Sequence, residues 1–224
     1  MKEFAPRLDV LPPPQRTLWD ELEATPKEFT LYGGTAITLQ LGHRWSVDFD
    51  FFGSEDFNPL ELFERVPFLA GGEIVQEAPS TLTVWVDRSG DARVSFFGVP
   101  EIGEVESPLI ARDNGIKVAS LLDLAALKTV VVQTRAEAKD FIDLDALLRA
   151  GIDFSHALAA AEIIQGPSFN PQISLKAVSY FEDGNLRTLD ASTKMRLQAA
   201  VRTVNLKRMP TLKFNRRYGE RKNA

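Results

Sequence analysis

A glycine turn between two short strand patterns constrains this chain more than any other feature. Residues 29–32 are apolar and aromatic and predict a buried strand. Gly33 and Gly34 interrupt that pattern, and residues 35–41 predict one or two helical turns. A second strand pattern covers residues 47–52. The sequence therefore predicts a strand, a glycine turn, a short helix and a second strand in close succession.

Two acids on the second strand are predicted to share one face. Asp48 and Asp50 are two residues apart, and side chains alternate between the faces of a strand. Val47, Phe49 and Phe51 take the opposite face, which we expect in the core. Two aligned carboxylates conflict unless a cation lies on them, and Mg²⁺ often uses one or two carboxylates plus substrate phosphates. The alternative is an edge strand whose acidic face is simply solvated.

The glycine turn and the acids together resemble the signature of a known family. The AbiEii/AbiGii toxin family of nucleotidyltransferases, within the DNA polymerase β-like superfamily, has a motif similar to Gly33-Gly34-Thr35 followed by His43-Arg44-x-Ser46-x-Asp48-x-Asp50. The turn differs from the Gly-Ser of the wider superfamily. Its glycines would let backbone N–H groups face a phosphate where the helix begins.

A second group of charged residues follows in a helical pattern. Lys128 lies within the otherwise apolar stretch LLDLAALKTVVV, and in an unbroken helix Arg135 would share its face, with Lys139 close by. A further helical pattern begins near Lys139 and carries Asp140 and Asp143 on one face. Lys128 either contacts triphosphate oxygens or reaches from a buried helix to solvent. By position, Asp143 is better explained as an acid near the helix N-terminus that the helix dipole favours.

These residues are similar to the downstream motifs of the same family, in which a helical lysine and a later aspartate complete the active site. The resemblance implies that Asp48 and Asp50 hold Mg²⁺, and that Lys128, assisted by Arg135, neutralises charge in the transition state. Asp140 would orient Lys128 or position the acceptor hydroxyl. The expected substrate-binding residues are Gly33, Gly34, Thr35, Arg44, Ser46, Arg135 and Lys139. Arg44 is placed either to contact a phosphate or to pair with a nearby acid, and Ser46 to support the site by hydrogen bonding.

One departure from the superfamily concerns the metal ligands. Members with three metal carboxylates carry the third on a later strand, but the candidate strand here, residues 92–97, contains no acid. Asp87 and Asp91 lie in the neighbouring turn. Either two carboxylates suffice, with phosphates and water completing the octahedron, or the affinity for metal is low.

Composition narrows the class of protein. The chain has no cysteine, which fits a reducing compartment and excludes disulfides and thiolate metal sites. No apolar run is long enough to span a membrane, and the first residues lack a signal-peptide pattern. We therefore expect a soluble, cytoplasmic protein without a membrane partner.

The patterns also predict how the chain is organised. Three strand patterns, residues 73–78, 81–86 and 92–97, extend the two opening strands, and helical patterns dominate from about residue 116. Together with the resemblance, this predicts an α+β fold, a nucleotidyltransferase-like mixed sheet with flanking helices followed by a helical bundle. The expected domains are residues 1–115, a helical domain at 116–204 and a basic C-terminal tail at 205–224.

The charge of the chain is unevenly distributed. Residues 201–224 carry a net charge of +7 within a chain of net charge −5, so the first 200 residues carry −12. A basic tail on an acidic body predicts either a polyanionic partner or an unstructured, solubilising segment.

The resemblance implies a Mg²⁺-dependent enzyme that moves a nucleoside monophosphate from an NTP to a hydroxyl. It further implies the toxin of a bacterial toxin–antitoxin or phage-defence pair with a cognate antitoxin, the acceptor being tRNA or another RNA. Two alternatives remain open at this point. One is transfer to a protein hydroxyl, and the other is a module that binds nucleotide or RNA without turnover.

Overall fold

The computed structural model describes residues 2–220, which form two compact units. The first comprises residues 2–101 and 107–120, and the second comprises residues 102–106 and Leu121–Glu220. The described residues contain eight strands and eight α-helices, which confirms the predicted α+β class. Arg221 and Lys222 of the basic segment lie outside the described residues.

All eight of these strands belong to the first unit and form one mixed sheet. They are β1 (Glu3–Phe4), β2 (Phe29–Tyr32), β3 (Asp48–Gly53), β4 (Glu73–Ala78), β5 (Thr81–Asp87), β6 (Asp91–Gly98), β7 (Leu109–Ala111) and β8 (Lys117–Val118). Their order in the sheet is β1-β7-β8-β2-β3-β6-β5-β4. The pairs β1–β7, β2–β8 and β3–β6 are parallel, and the other pairs are antiparallel. The acidic strand β3 therefore lies inside the sheet between β2 and β6, not at an edge.

Alternation along β3 follows the sequence pattern. Asp48 and Asp50 are partly exposed on one face, whereas Phe49 and Phe51 are fully buried on the other. The expectation for Val47 was wrong, because the strand begins one residue later and the Val47 side chain is half exposed. The shared face of the two acids is thus confirmed, with a shorter apolar face than predicted.

The helices of the first unit frame this sheet. They are α1 (Pro13–Trp19), α2 (Gly33–Leu41) and α3 (Pro59–Arg65). Asn58 caps α3 by accepting hydrogen bonds from the N–H groups of Leu60 and Glu61, and a proline follows it at the first helical position. Helix α2 begins directly at the glycine pair and ends at Gly42, which adopts a left-handed conformation.

A contact from α1 fixes the position at which the central strands begin. Gln15 is buried, and its Nε2 donates hydrogen bonds to the backbone carbonyls of Val47 and Asp91, at 3.0 and 3.2 Å. These carbonyls lie at the starts of β3 and β6. Trp19, also on α1, packs against Phe49 on the apolar face of β3. The helix therefore supports the strand that carries the acids from its buried side.

The second unit is helical. Its helices are α4 (Leu121–Val131), α5 (Ala138–Arg149), α6 (Phe154–Gln165), α7 (Pro171–Ser179) and α8 (Ala191–Thr203). Residues 205–220 follow without a further α-helix, and Arg216 forms an isolated bridge with Glu104 of the same unit. Within the described part of the chain, none of the helices combines the length and the apolar character needed to span a bilayer.

Candidate active site

Two glycines allow charged side chains to reach the start of α2. Gly33 has a φ of +74°, and a Cβ atom built on it would lie 2.8 Å from a carboxylate oxygen of Asp50. A Cβ atom on Gly34 would lie 2.3 Å from Nη2 of Arg44. Both distances are shorter than van der Waals contact, so neither position accepts a larger residue without displacing its charged neighbour. The first N–H groups of a helix lack intrahelical partners, which makes this turn suitable for an anion.

A pair of buried hydroxyls ties this turn to the acidic strand. The Thr35 and Ser46 hydroxyls are hydrogen-bonded to each other at 2.8 Å, and Thr35 Oγ1 donates to the backbone carbonyl of Asp48. Both side chains are more than nine-tenths buried. Their hydroxyls fasten α2 to β3, so a contact between Thr35 and a substrate would come from its backbone N–H.

Arg44 brings a positive charge to the same turn. Its Nη1 donates a 2.7 Å hydrogen bond to the carbonyl of Trp45, which fixes the guanidinium beside the chain. Its Nη2 is the atom closest to a Cβ built on Gly34. A cation at the beginning of a helix adds to the positive end of the helix dipole. The Arg44 guanidinium thus lies close enough to Gly34 to contact a phosphate bound at the turn.

The two acids have different neighbours. Asp48 pairs in register with Arg93 of β6, and Nη2 of Arg93 lies 2.8 Å from Oδ2 of Asp48. Asp50 pairs with Ser95 and lies against Gly33. Arg93 therefore partly offsets the charge of the acid pair on its exposed face. No sequence pattern indicates this partner, which lies 45 positions from Asp48 and is identified by the strand register.

The donor set fits a hard divalent ion bound together with a phosphate. In the stretch from residue 2 to residue 220, no group of three or more His, Cys, Asp or Glu side chains could hold a metal ion. The register places Arg93 and Ser95, and no acid, opposite the two carboxylates. Asp48 and Asp50 share one face, and the Asp50 carboxylate occupies the space that a Cβ on Gly33 would fill. Two carboxylates beside a helix start that suits an anion match the usual environment of Mg²⁺.

The second unit contains a buried ionic cluster around Lys128. Its Nζ lies 2.6 Å from Oδ1 of Asp140 and 2.7 Å from Oδ2 of Asp143, and both aspartates are fully buried. The lysine does not extend to solvent, because its side chain is itself only 8% exposed. Asp143, which by position could simply have been a helix-dipole acid, is instead a direct partner of Lys128.

Arg135 completes this cluster from its exposed side. Its Nε and Nη2 donate to the two carboxylate oxygens of Asp140 at 2.7 and 2.8 Å, and its side chain is 44% exposed. Burial raises the pKa of Asp140, but the hydrogen bonds from Arg135 and the charge of Lys128 outweigh that effect and lower it below its ordinary value. Asp140 is therefore a buried carboxylate that remains ionised.

Lys128 and Arg135 do not lie on one unbroken helix, contrary to the expectation from the sequence. Helix α4 ends at Val131, and Arg135 lies in the connection that precedes α5. Lys139 does not join the cluster directly, since its Nζ pairs with Glu137 at 2.9 Å and its side chain is half exposed. Lys128 and Arg135 therefore do not share one helical face. They are brought together because both contact the carboxylate of Asp140.

A mixed sheet that carries paired acids beside a glycine turn at a helix start defines the nucleotidyltransferase class of enzymes. Within that class the chain belongs to the AbiEii family, since residues 16–203 match the family model described as nucleotidyl transferase AbiEii toxin, Type IV TA system. Membership of this family implies an NTP substrate and a cognate antitoxin.

The chain is also similar to individual proteins, one in sequence and two in fold. An uncharacterized protein of Aquifex aeolicus (strain VF5), aq_aa25, is 31% identical over 161 residues, which is 70% of this chain and 75% of that protein. The nucleotidyltransferase toxin MenT4 from Mycobacterium tuberculosis H37Rv has a similar fold, with a TM-score of 0.61, 16% identity and coverage of 86% of this chain and 83% of that chain. A protein named as a nucleotidyltransferase from H. pylori also has a similar fold, with a TM-score of 0.53 and 18% identity. The match covers 84% of this chain and 90% of that chain.

Proposed function

We propose that this protein transfers a nucleoside monophosphate from an NTP to a hydroxyl acceptor in a Mg²⁺-dependent reaction. The acceptor oxygen attacks the α-phosphorus, the bond from that phosphorus to the pyrophosphate oxygen breaks, and the acceptor proton passes to solvent. The observation that carries the proposal is the contact of Asp50 with the glycine turn, on the strand face that it shares with Asp48.

The first unit would bind the triphosphate. Backbone N–H groups of residues 33–35 and the guanidinium of Arg44 would contact its β- and γ-phosphates, because the turn offers unpaired donors and positive charge. Asp48 and Asp50 would hold the Mg²⁺, which when bound polarises the phosphoryl oxygens. Thr35 and Ser46 would keep the turn and the acids in fixed relative positions through their shared hydrogen bonds.

Charged residues of the second unit would neutralise the transition state. Arg135 is oriented by the two hydrogen bonds that it donates to Asp140, and its side chain is partly exposed. Lys128 would supply positive charge, and the buried carboxylates hold its position. Lys139 is exposed next to them. For these residues the proposal rests on residue type and on their similarity to the family motifs.

We propose RNA, in the form of the 3′ end of tRNA, as the acceptor and the cytoplasm as the place of reaction. The exposed basic segment after residue 205 supports a polyanionic acceptor, because phosphate contacts provide affinity without sequence dependence. A module that binds nucleotide without turnover is the second candidate. It is favoured by the absence of acids on β6 opposite Asp48 and Asp50.

A label-transfer assay tests the proposal. The protein is incubated with each NTP labelled at the α-phosphate, with Mg²⁺ and bulk tRNA, and both labelled RNA and released pyrophosphate are measured. Asp48→Asn and Asp50→Asn should abolish both signals. Asp20→Asn, which removes one charge at an exposed position, should leave them unchanged. Label on protein in place of RNA would identify a protein acceptor, and NTP binding without pyrophosphate release would support the non-catalytic module.

A further inference from the structure

The last described residues are firmly attached to the second unit. Backbone hydrogen bonds join Glu104 to Asn215 and Arg216, at 2.7 to 2.9 Å, and the Tyr218 N–H donates to the carbonyl of Ile163 at 2.8 Å. The Tyr218 ring packs directly on Gly166, where a Cβ atom would lie 2.4 Å from the ring. Residues 213–218 therefore follow a defined path beside the C-terminal end of α6.

This attached segment presents cations and aromatic rings together. Lys213, Phe214, Arg217 and Tyr218 are all exposed. The Arg217 guanidinium lies over the Phe214 ring, 4.4 Å from its centroid. Arg216 is a further cation of the segment but is only partly exposed, and its Nε and Nη1 are buried without a hydrogen-bond partner among residues 2–220. Lys207 and Arg208 extend the basic surface towards α8, and no acid occurs between residues 205 and 219.

A cavity lies next to the same segment. It has a volume of about 490 Å³, and it is lined by Glu162, Ile163, Gly166, Pro167, Phe169, Arg217 and Tyr218. This volume falls within the range of small-molecule sites, roughly 300–1,000 Å³. Apolar atoms form slightly more than half of its lining, which includes the aromatic residues Phe169 and Tyr218. Glu162 repels a phosphate but can accept hydrogen bonds from the amino group of a base. The cavity thus suits a nucleobase, and the cations beside it suit the phosphates.

We propose that residues 207–218 and this cavity form a binding surface for single-stranded RNA. One base would enter the cavity beside Tyr218, a neighbouring base would stack near Phe214 and Arg217, and the backbone phosphates would follow the basic side chains. Unstacked bases that pack on aromatic rings and guanidinium planes are the usual basis of single-strand recognition, and a duplex cannot offer them. The inference rests on the proposed RNA acceptor, and it locates contacts to that acceptor within the second unit.

Fluorescence anisotropy with a labelled single-stranded RNA of mixed sequence tests this surface. It is measured without NTP or Mg²⁺, so failure of the catalytic proposal does not affect the outcome. Lys213→Glu/Arg217→Glu should weaken binding by about tenfold or more near 0.1 M salt, and should reduce the dependence of log K on log salt by about 1.4 for two lost phosphate contacts. Phe214→Ala should weaken binding by roughly fivefold or more through lost stacking.

Matched variants in the same unit provide the controls. Arg149→Glu/Lys176→Glu makes the same change in net charge at exposed sites on α5 and α7, and Tyr180→Ala removes an exposed aromatic ring. Both should bind RNA as the unmodified protein does, and all variants should keep its unfolding midpoint. Equal losses in test and control variants would overturn the proposal, as would a preference for duplex RNA. RNA binding that stays intact in Lys213→Glu/Arg217→Glu and in Phe214→Ala would also reject it.

Discussion

At the residue scale, the contact between Gly33 and Asp50 is the most specific feature of the site. Gly33→Ala introduces a side chain at positive φ, which costs roughly 1–2 kcal/mol, and it also pushes the Asp50 carboxylate out of place. We expect the variant to lose both stability and NTP affinity. Chemical denaturation and calorimetry with an NTP and Mg²⁺ measure the two effects.

Gly71→Ala separates backbone strain from the displaced carboxylate. Gly71 has nearly the same φ, +76°, but no atom lies within 4 Å of a Cβ built there. This variant should show a similar loss of unfolding free energy with unchanged NTP affinity. Equal NTP affinity in the two variants would mean that the approach of Asp50 to the turn has no part in binding.

The placement of individual side chains could be predicted from the sequence where it depends on residues nearby in the chain. The common face of Asp48 and Asp50 follows from alternation along a strand, and the Asn58 cap follows from residue type and the adjoining proline. The charge partner Arg93 could not be found in this way, because strand register depends on the packing of the whole sheet. The prediction for Val47 was wrong for a similar reason, since β3 begins at Asp48, one residue later than the sequence pattern.

At the scale of elements, the cluster that joins α4 to α5 should be a major source of stability in the second unit. Lys128→Met removes the ammonium group that contacts both buried carboxylates, although Arg135 still pairs with Asp140. This change should cost about 3–5 kcal/mol in unfolding free energy. Lys139→Met, which breaks a half-exposed pair at the start of α5, should cost less than about 1 kcal/mol. Urea denaturation compares them, and equal losses would show that burial of the Lys128 cluster adds no stability.

The same cluster should make the free energy of unfolding depend on pH in the acidic range. The pKa of Asp140 is lowered in the folded protein, so its contribution to stability is complete above its unfolded pKa of about 3.9 and is lost as pH falls through the folded value. Unfolding free energy measured from neutral pH downward should therefore decrease more steeply below about pH 4 for the unmodified protein than for Asp140→Asn. Parallel curves would contradict the assigned ionisation of Asp140.

The elements themselves were partly predictable. Periodic patterns predicted the strands β4, β5 and β6 and the helical character of the second unit. Strands β5 and β6 bury several apolar side chains, whereas β4 is mostly exposed. Strands β1, β7 and β8 have only two or three residues each, too few to create a period, and they exist through pairing with distant segments. The meeting of Lys128 with Asp143 was missed because it depends on how α4 packs on α5.

At the scale of the whole molecule, the net charge differs between the body of the chain and its last residues. The first 200 residues are strongly acidic, whereas the last 24 carry a net positive charge. An acidic body limits non-specific adhesion of RNA, and a confined basic segment would still attract it at low salt. Composition predicted this contrast, but only the structure shows that residues 213–218 are held against α6 beside a cavity.

The central claim is that Asp48 and Asp50 together hold a divalent ion with the nucleotide at the glycine turn. Crystals soaked with Mn²⁺ and a non-hydrolysable NTP, with Mn²⁺ located by anomalous scattering, test it most directly. We expect an ion about 2.1 Å from an oxygen of each aspartate and of the triphosphate, near the octahedral Mg²⁺ geometry. An ion bound elsewhere, or a triphosphate bound away from Gly33 while both aspartates stay free of metal, would contradict it.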